Sequence, residues 1–253
     1  MKKALLVVSF GTTVAETRAC ITAVEDVVRA QAPEMDFFRA FTSPTIRRVL
    51  AKRGEVIPSF DEALKQLKED GYTDVFVQPT HMLYGIEYDK MKRAAHDIRR
   101  QFDSFAFGKP MLADTNDLQR LADCLMKQYP AVDGEALVLM GHGTEHFANA
   151  VYPALQTAFR LAGRQDILVG TVEGWPSFDE VKAQIVGRYG KAHLAPLMLV
   201  AGDHAKNDMA GEDDDSWKSQ LEADGVEVRC TMRGLGAMEE VQALYQEHFC
   251  ELL

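Results

Sequence analysis

The sequence predicts an α/β protein built from two similar halves, each a parallel sheet with helical crossovers. Three observations carry this expectation. Short apolar runs alternate with longer amphipathic stretches along the chain, which is the pattern of βα units. The pentapeptide Pro58-Ser59-Phe60-Asp61-Glu62 recurs as Pro176-Ser177-Phe178-Asp179-Glu180. Two further landmarks repeat in the same order: Ala4-Leu5-Leu6 through Gly11-Thr12 parallels Ala136-Leu137-Val138 through Gly143-Thr144, and Pro79 with Gly85 parallels Pro196 with Gly202.

The elements follow in chain order. Residues 4–9 form an unbroken apolar run, read as a strand buried on both faces, which breaks at Ser9-Phe10-Gly11. An amphipathic helix at 16–32 and a strand at 36–41 come next. An added helical segment at 45–53 explains why the strand landmarks lie further apart than the pentapeptides. A helix at 60–69, a strand at 74–78, a helix at 89–102, a weaker strand at 105–107 and a helix at 116–128 complete the first half. Pro130, Asp133 and Gly134 are turn formers, so the halves are expected at 1–129 and 130–253. In the second half, strands are predicted at 136–140, 167–172, 192–200 and 226–230. Helices are predicted at 149–162, 178–189, 217–223 and 237–249.

Composition narrows the function classes. With 253 residues, 47% hydrophobic and 26% charged, the chain has a full core and is neither disordered nor of low complexity. No apolar run approaches the roughly 20 residues of a membrane span, and the N-terminal segment reads as a strand, not an export signal. A cytoplasmic location is therefore expected, with Cys20, Cys124, Cys230 and Cys250 reduced; none forms a CxxC pair. A net charge of −10 argues against nucleic acid as the partner. The GxGxxG, GxxxxGK[ST], HExxH and GxSxG patterns are absent, which removes the main signals of nucleotide binding, zinc proteolysis and serine hydrolysis.

In parallel sheets, ligands bind beyond the carboxyl ends of the strands. Four such positions carry chemistry here. One strand runs into Gly141-His142-Gly143-Thr144, where flanking glycines are expected to open the imidazole to close approach. A second runs into Gly202-Asp203-His204, and a third ends at Glu173. The repeat places Glu87 of the first half where His204 stands in the second, and Phe10 where His142 stands. Two imidazoles with one or two carboxylates suit cobalt(II), iron(II) or zinc with positions left open. Glu87 also reads simply as an acid in the first turn of a helix. His81 follows a strand directly and could line the same rim, His146 is expected on the flank of a helix start, and His96, His193 and His248 read as structural or solvated. The run Glu212-Asp213-Asp214-Asp215 reads as a solvated loop.

Leu139-Met140-Gly141-His142-Gly143-Thr144, the run Gly202-Asp203-His204-Ala205-Lys206-Asn207-Asp208-Met209-Ala210-Gly211 and Ser9-Phe10-Gly11-Thr12-Thr13 together resemble the CbiK-type anaerobic cobalt chelatases, class II tetrapyrrole chelatases. The resemblance extends to Thr80-His81-Met82-Leu83-Tyr84-Gly85-Ile86-Glu87 and to Thr171-Val172-Glu173-Gly174. It implies two flavodoxin-like halves related by pseudo-twofold symmetry. It also implies active-site histidines at His142 and His204, a metal-binding glutamate at Glu173 and a further site acid at Glu87. The implied reaction is insertion of cobalt(II) into sirohydrochlorin during anaerobic cobalamin biosynthesis, with iron(II) insertion, or a metal or haem carrier without turnover, as alternatives. No permanently bound cofactor is implied; the partners would be a divalent metal and a tetrapyrrole, without nucleic acid or membrane, and a homo-oligomer is left open. Ser9, Phe10, Gly11, Thr12 and Tyr84 are the expected contacts of the macrocycle. Lys90, Lys206, Arg47 and Arg48 are the cations expected to offset its carboxylates.

Overall fold

The computed structural model describes residues 1–253. Its first unit comprises Met1–Ala113 together with Gly236–Leu253, and its second Asp114–Leu235. In the first, β1 (Lys3–Ser9), β2 (Asp36–Phe41), β3 (Asp74–Pro79) and β4 (Ser104–Phe107) form a parallel sheet in the order β2-β1-β3-β4. Its crossovers are α1 (Ala15–Arg29), α2 (Pro44–Lys52), α3 (Phe60–Glu69) and α4 (Ile86–Ile98). The second unit begins with α5 (Thr115–Gln128) and repeats the topology: β5 (Glu135–Gly141), β6 (Ile167–Thr171), β7 (Lys191–Pro196) and β8 (Glu227–Cys230) are parallel, in the order β6-β5-β7-β8. Its other helices are α6 (Val151–Leu161), α7 (Phe178–Ile185) and α8 (Trp217–Ala223), and the chain ends in α9 (Glu239–Cys250). No helix is long and apolar enough to cross a membrane.

The repeated landmarks mark equivalent places in the two sheets. Pro79 pairs with Val8 and Pro196 with Met140, so each proline closes the strand beside the central one. The pentapeptide is a helix start tied back to a strand end. Ser59 N donates to Glu62 Oε2 at 2.7 Å while Ser59 Oγ accepts from Glu62 N at 3.2 Å, a reciprocal cap that satisfies two amides of α3. Ser177 N donates to Glu180 Oε2 at 2.8 Å at the start of α7. The preceding prolines complete the equivalence, because Pro58 O accepts from Phe41 N at 3.0 Å and Pro176 O from Thr171 N at 2.7 Å.

Apart from Lys3, both central strands are buried along their length, as the apolar runs Ala4–Val8 and Ala136–Met140 require. Leu6, Val8, Leu64, Leu67 and Val77 belong to the core of the first sheet, and Val138, Met140, Leu168, Leu194 and Leu221 to that of the second.

The division of the chain differs from the expected halves in one respect. Helix α5 follows β4 in sequence but packs on α6, whereas α9 follows β8 but packs on α1. Each unit thus takes the closing helix of the other expected half, and the chain returns to the first unit at Gly236. Close packing anchors that return: a Cβ on Gly236 would lie 2.6 Å from the Cys20 carbonyl oxygen. The buried Tyr245 hydroxyl donates to Thr80 O at 2.7 Å.

Several boundaries also move. The strand expected to continue to residue 200 ends at Pro196, which has no amide to continue the ladder. Leu197 N still donates to Met140 O at 2.7 Å, and the chain then turns. The helix expected to reach residue 189 stops at Ile185, where Val186 is extended and Gly187 has a φ of +78°. Residues 205–209, to which the sequence assigned no element, form a π-helical turn.

Candidate metal centre

The backbone brings the ends of β5 and β6 together. Val172 N donates to Gly141 O at 3.1 Å and Glu173 N to His142 O at 2.7 Å, continuing the pairing past both strands. Glycine is required at this crossing, where Gly143 has a φ of +83° and a Cβ would lie 2.5 Å from Gly174 N. On Gly174 it would lie 2.4 Å from Asn149 Oδ1, and on Gly141 it would strike the Tyr152 ring at 2.2 Å. The glycines around His142 are therefore required by loop and ring packing, a constraint the sequence did not show.

This crossing sets His142 beside Glu173, with Nδ1 and Oε2 3.8 Å apart. His204 arrives from the loop after β7, and its ring stands edge-on to that of His142, with centroids 4.8 Å apart and an interplanar angle of 89°. One ligand atom from each of His142, Glu173 and His204 lies within 4.8 Å of the other two. Ligands around a tetrahedral divalent ion bonded at about 2.1 Å lie about 3.4 Å apart, so small side-chain rotations close the set. His142 Nδ1 lies 2.9 Å from Gly143 O, and His204 Nδ1 lies 2.7 Å from Asp208 Oδ2. Both oxygens can only accept, so in the neutral rings Nδ1 carries the proton and Nε2 presents its lone pair. The side chains of His142 and Glu173 are 43% and 60% exposed, leaving the centre open on one side.

The surrounding loops are tied together. Asn149 Oδ1 accepts from Thr144 N at 3.0 Å, its Nδ2 donates to Trp175 O at 2.5 Å, and Gly143 N donates to the Tyr152 hydroxyl at 3.3 Å. Sequence reasoning assigned no role to Asn149, Tyr152 or Asp208. Only Asp208 had a usable signal, its position four residues after His204, which shares a helical face. His146 is not part of the centre: its Nδ1 accepts from Ala148 N at 3.1 Å, capping the 3-10 turn Phe147–Ala150.

The other expected site residues belong to the first unit. Glu87 lies in the first turn of α4, and its carboxylate pairs with Lys90 at 2.7 Å. Phe10 and Tyr84 are exposed, Tyr84 lying edge-on to Tyr88. Ser9, Gly11 and Thr12 are buried and present little surface to a ligand. Ser9 Oγ accepts from Thr80 Oγ1 at 2.7 Å, Thr12 Oγ1 accepts from Val14 N at 3.2 Å, and a Cβ on Gly11 would lie 2.6 Å from the Phe41 ring. Of the expected cations, Arg47 bonds Ile57 O and pairs with Glu62, and Lys90 is engaged by Glu87. Arg48 and Lys206 are exposed.

His81 follows β3, with Nε2 3.4 Å from Thr42 Oγ1 and a buried Nδ1 that no protein group reaches. Burial lowers its pKa from 6.5 to about 4, against the opposing pull of Glu87. Above 6.5 the ring is neutral whether the chain is folded or not. Between 6.5 and 4 the unfolded chain binds a proton that the folded one refuses, so this residue makes stability decrease as pH drops across that window. Denaturant unfolding at several pH values is expected to give a flatter stability profile between 6.5 and 4 for His81→Gln than for the wild type. Superimposable profiles would contradict a buried neutral imidazole.

The model of the family "Cobalt chelatase (CbiK)" matches residues 3–253. The chain is 41% identical over 261 residues to the sirohydrochlorin cobaltochelatase of Salmonella typhimurium, covering 100% of this chain and 97% of that protein. It is 33% identical over 252 residues to the sirohydrochlorin cobaltochelatase CbiKC of Nitratidesulfovibrio vulgaris, covering 98% and 89%. The fold matches the structure of SirB from Bacillus subtilis with Fe3+ at a TM-score of 0.65 and 15% identity, over 100% of this chain and 96% of that one. With a family match along nearly the whole sequence and full-length relatives at 41% and 33% identity, the chain belongs to the CbiK cobalt chelatase family.

Proposed function

We propose that the protein inserts cobalt(II) into sirohydrochlorin, the reaction in the names of its two full-length relatives. The observation that carries this reading is the convergence of His142, Glu173 and His204 in an exposed centre at the strand ends of the second sheet. Metallation breaks two pyrrole N–H bonds and replaces the ion's existing ligands with four ring nitrogens. A donor set for this task must hold the ion and then release it. Two imidazoles and one carboxylate on an open face meet both demands, since they leave coordination positions for the incoming ring.

The imidazole that gives up the metal exposes its Nε2 lone pair, which can take one pyrrole proton. The second proton passes to a carboxylate or to solvent. A part for Glu87 in proton removal rests on the family resemblance, because its carboxylate pairs with Lys90 in this structure. Phe10 and Tyr84 remain the proposed apolar contacts of the macrocycle, being the exposed members of the expected set. The metal is substrate, and no resident cofactor is needed.

Anaerobic incubation with cobalt(II) and sirohydrochlorin, followed by absorbance, is expected to give a metallation rate that rises in proportion to protein concentration. A protein that binds cobalt without accelerating insertion would be a carrier, and the proposal would fail. An iron(II) competition in the same assay ranks the two metals.

A further inference from the structure

We propose that Asp208 is a positioning residue for metal capture, holding His204 in one tautomer and one orientation and strengthening its grip on the ion. This deepens the proposed function and rests on His204 being a metal ligand.

The two histidines differ in what holds them. His142 Nδ1 meets a neutral acceptor on its own loop, Gly143 O at 2.9 Å. His204 Nδ1 meets a carboxylate oxygen of Asp208 at 2.7 Å. A carboxylate accepting from one ring nitrogen fixes the proton there, aims the other nitrogen and makes it a better electron donor to a metal.

The chain builds this pair with some care. Residues Ala205–Met209 form a π-helical turn, a geometry that recurs at functional sites. Ala210 N donates to Ala205 O at 3.2 Å, and Gly211 N donates to Asn207 O at 3.1 Å. Gly211 is needed there, because a Cβ would lie 2.2 Å from Asn207 O. Ala205 and Met209 are fully buried in the core of the second sheet. They anchor the turn from below, while His204 and Asp208 meet at its partly exposed side. With side chains 34% and 46% exposed, such a pair adds little to folding stability, so its effect is expected in metal binding.

Cobalt(II) binding by the full chain, without tetrapyrrole, is the test, read by titration calorimetry and by the visible spectrum of the bound ion. Asp208→Ala is expected to weaken binding by about 10–100-fold, and Asp208→Glu to recover part of the loss. In a His204→Ala background, Asp208→Ala is expected to cause no further loss, with melting temperatures within about 2 °C throughout. Wild-type affinity in Asp208→Ala overturns the assignment, and so does an equal loss in both backgrounds, which would make Asp208 act independently of His204. A wild-type chain that binds no cobalt overturns the proposed function itself, which separates the two failures.

Discussion

Replacing His142 and His204 together by alanine is expected to lower cobalt insertion by about 10²–10⁴-fold, the range for removing a positioned acid–base group. Loss of two ligands adds to that effect. The cause is local. Both side chains are partly exposed and neither belongs to the core of the second sheet, so the folded state has little to lose. Initial rates at saturating cobalt(II), with thermal melts as the stability control, check this. A double variant that inserts cobalt within about threefold of the wild type would remove the imidazoles from the mechanism. Each single variant is expected to lose most of the same activity, because residues acting as a unit are strongly non-additive.

The second large effect is expected from Gly143→Ala. The position has a φ of +83°, and its added methyl would lie 2.5 Å from Gly174 N and 2.8 Å from Thr171 Cβ. Backbone strain of this kind costs about 1–3 kcal/mol, and overpacking against atoms that cannot rotate away costs a similar amount. The crossing that seats Glu173 beside His142 has to open, so cobalt binding falls along with stability. Gly134→Ala is the matched control, with a φ of +72° and nothing within 4 Å of the added methyl. Urea unfolding is expected to place Gly143→Ala well below Gly134→Ala, with weakened cobalt binding in Gly143→Ala alone. Equal losses in stability would mean that the crossing tolerates a side chain.

The legible parts of the fold have a common physical basis. Apolar run length distinguishes strands such as Leu5–Val8 from amphipathic helices, because burial on both faces needs no alternation. The pentapeptide stood out because the same task, starting a helix and tying it to a strand end, is solved twice with the same residues. His142, Glu173 and His204 stand out as candidates because strand ends in a parallel sheet are where ligands can reach. Their convergence required the β6-β5-β7 order, which places all three carrier loops side by side.

Other features left no local trace. Nothing in the sequence of α5 or α9 says which sheet it covers, since an amphipathic face fits either. Ser9 and Thr12 looked available at a strand end, but hydrogen bonding and burial occupy their hydroxyls. The reason for glycine at Gly143 lies in the backbone of Gly174, a neighbour far along the chain.

By itself the sequence determined the number and kind of the main strands and helices, the likeness of the two halves and the residue types of the candidate metal centre, because these follow from short-range periodicity and from chemistry carried by single side chains. Tertiary structure alone decided the exchange of the last helices, the tautomers of His142 and His204, and the pairing of His204 with Asp208. Those depend on which backbone and which carboxylate come within hydrogen-bonding distance, and only the packed chain sets such distances.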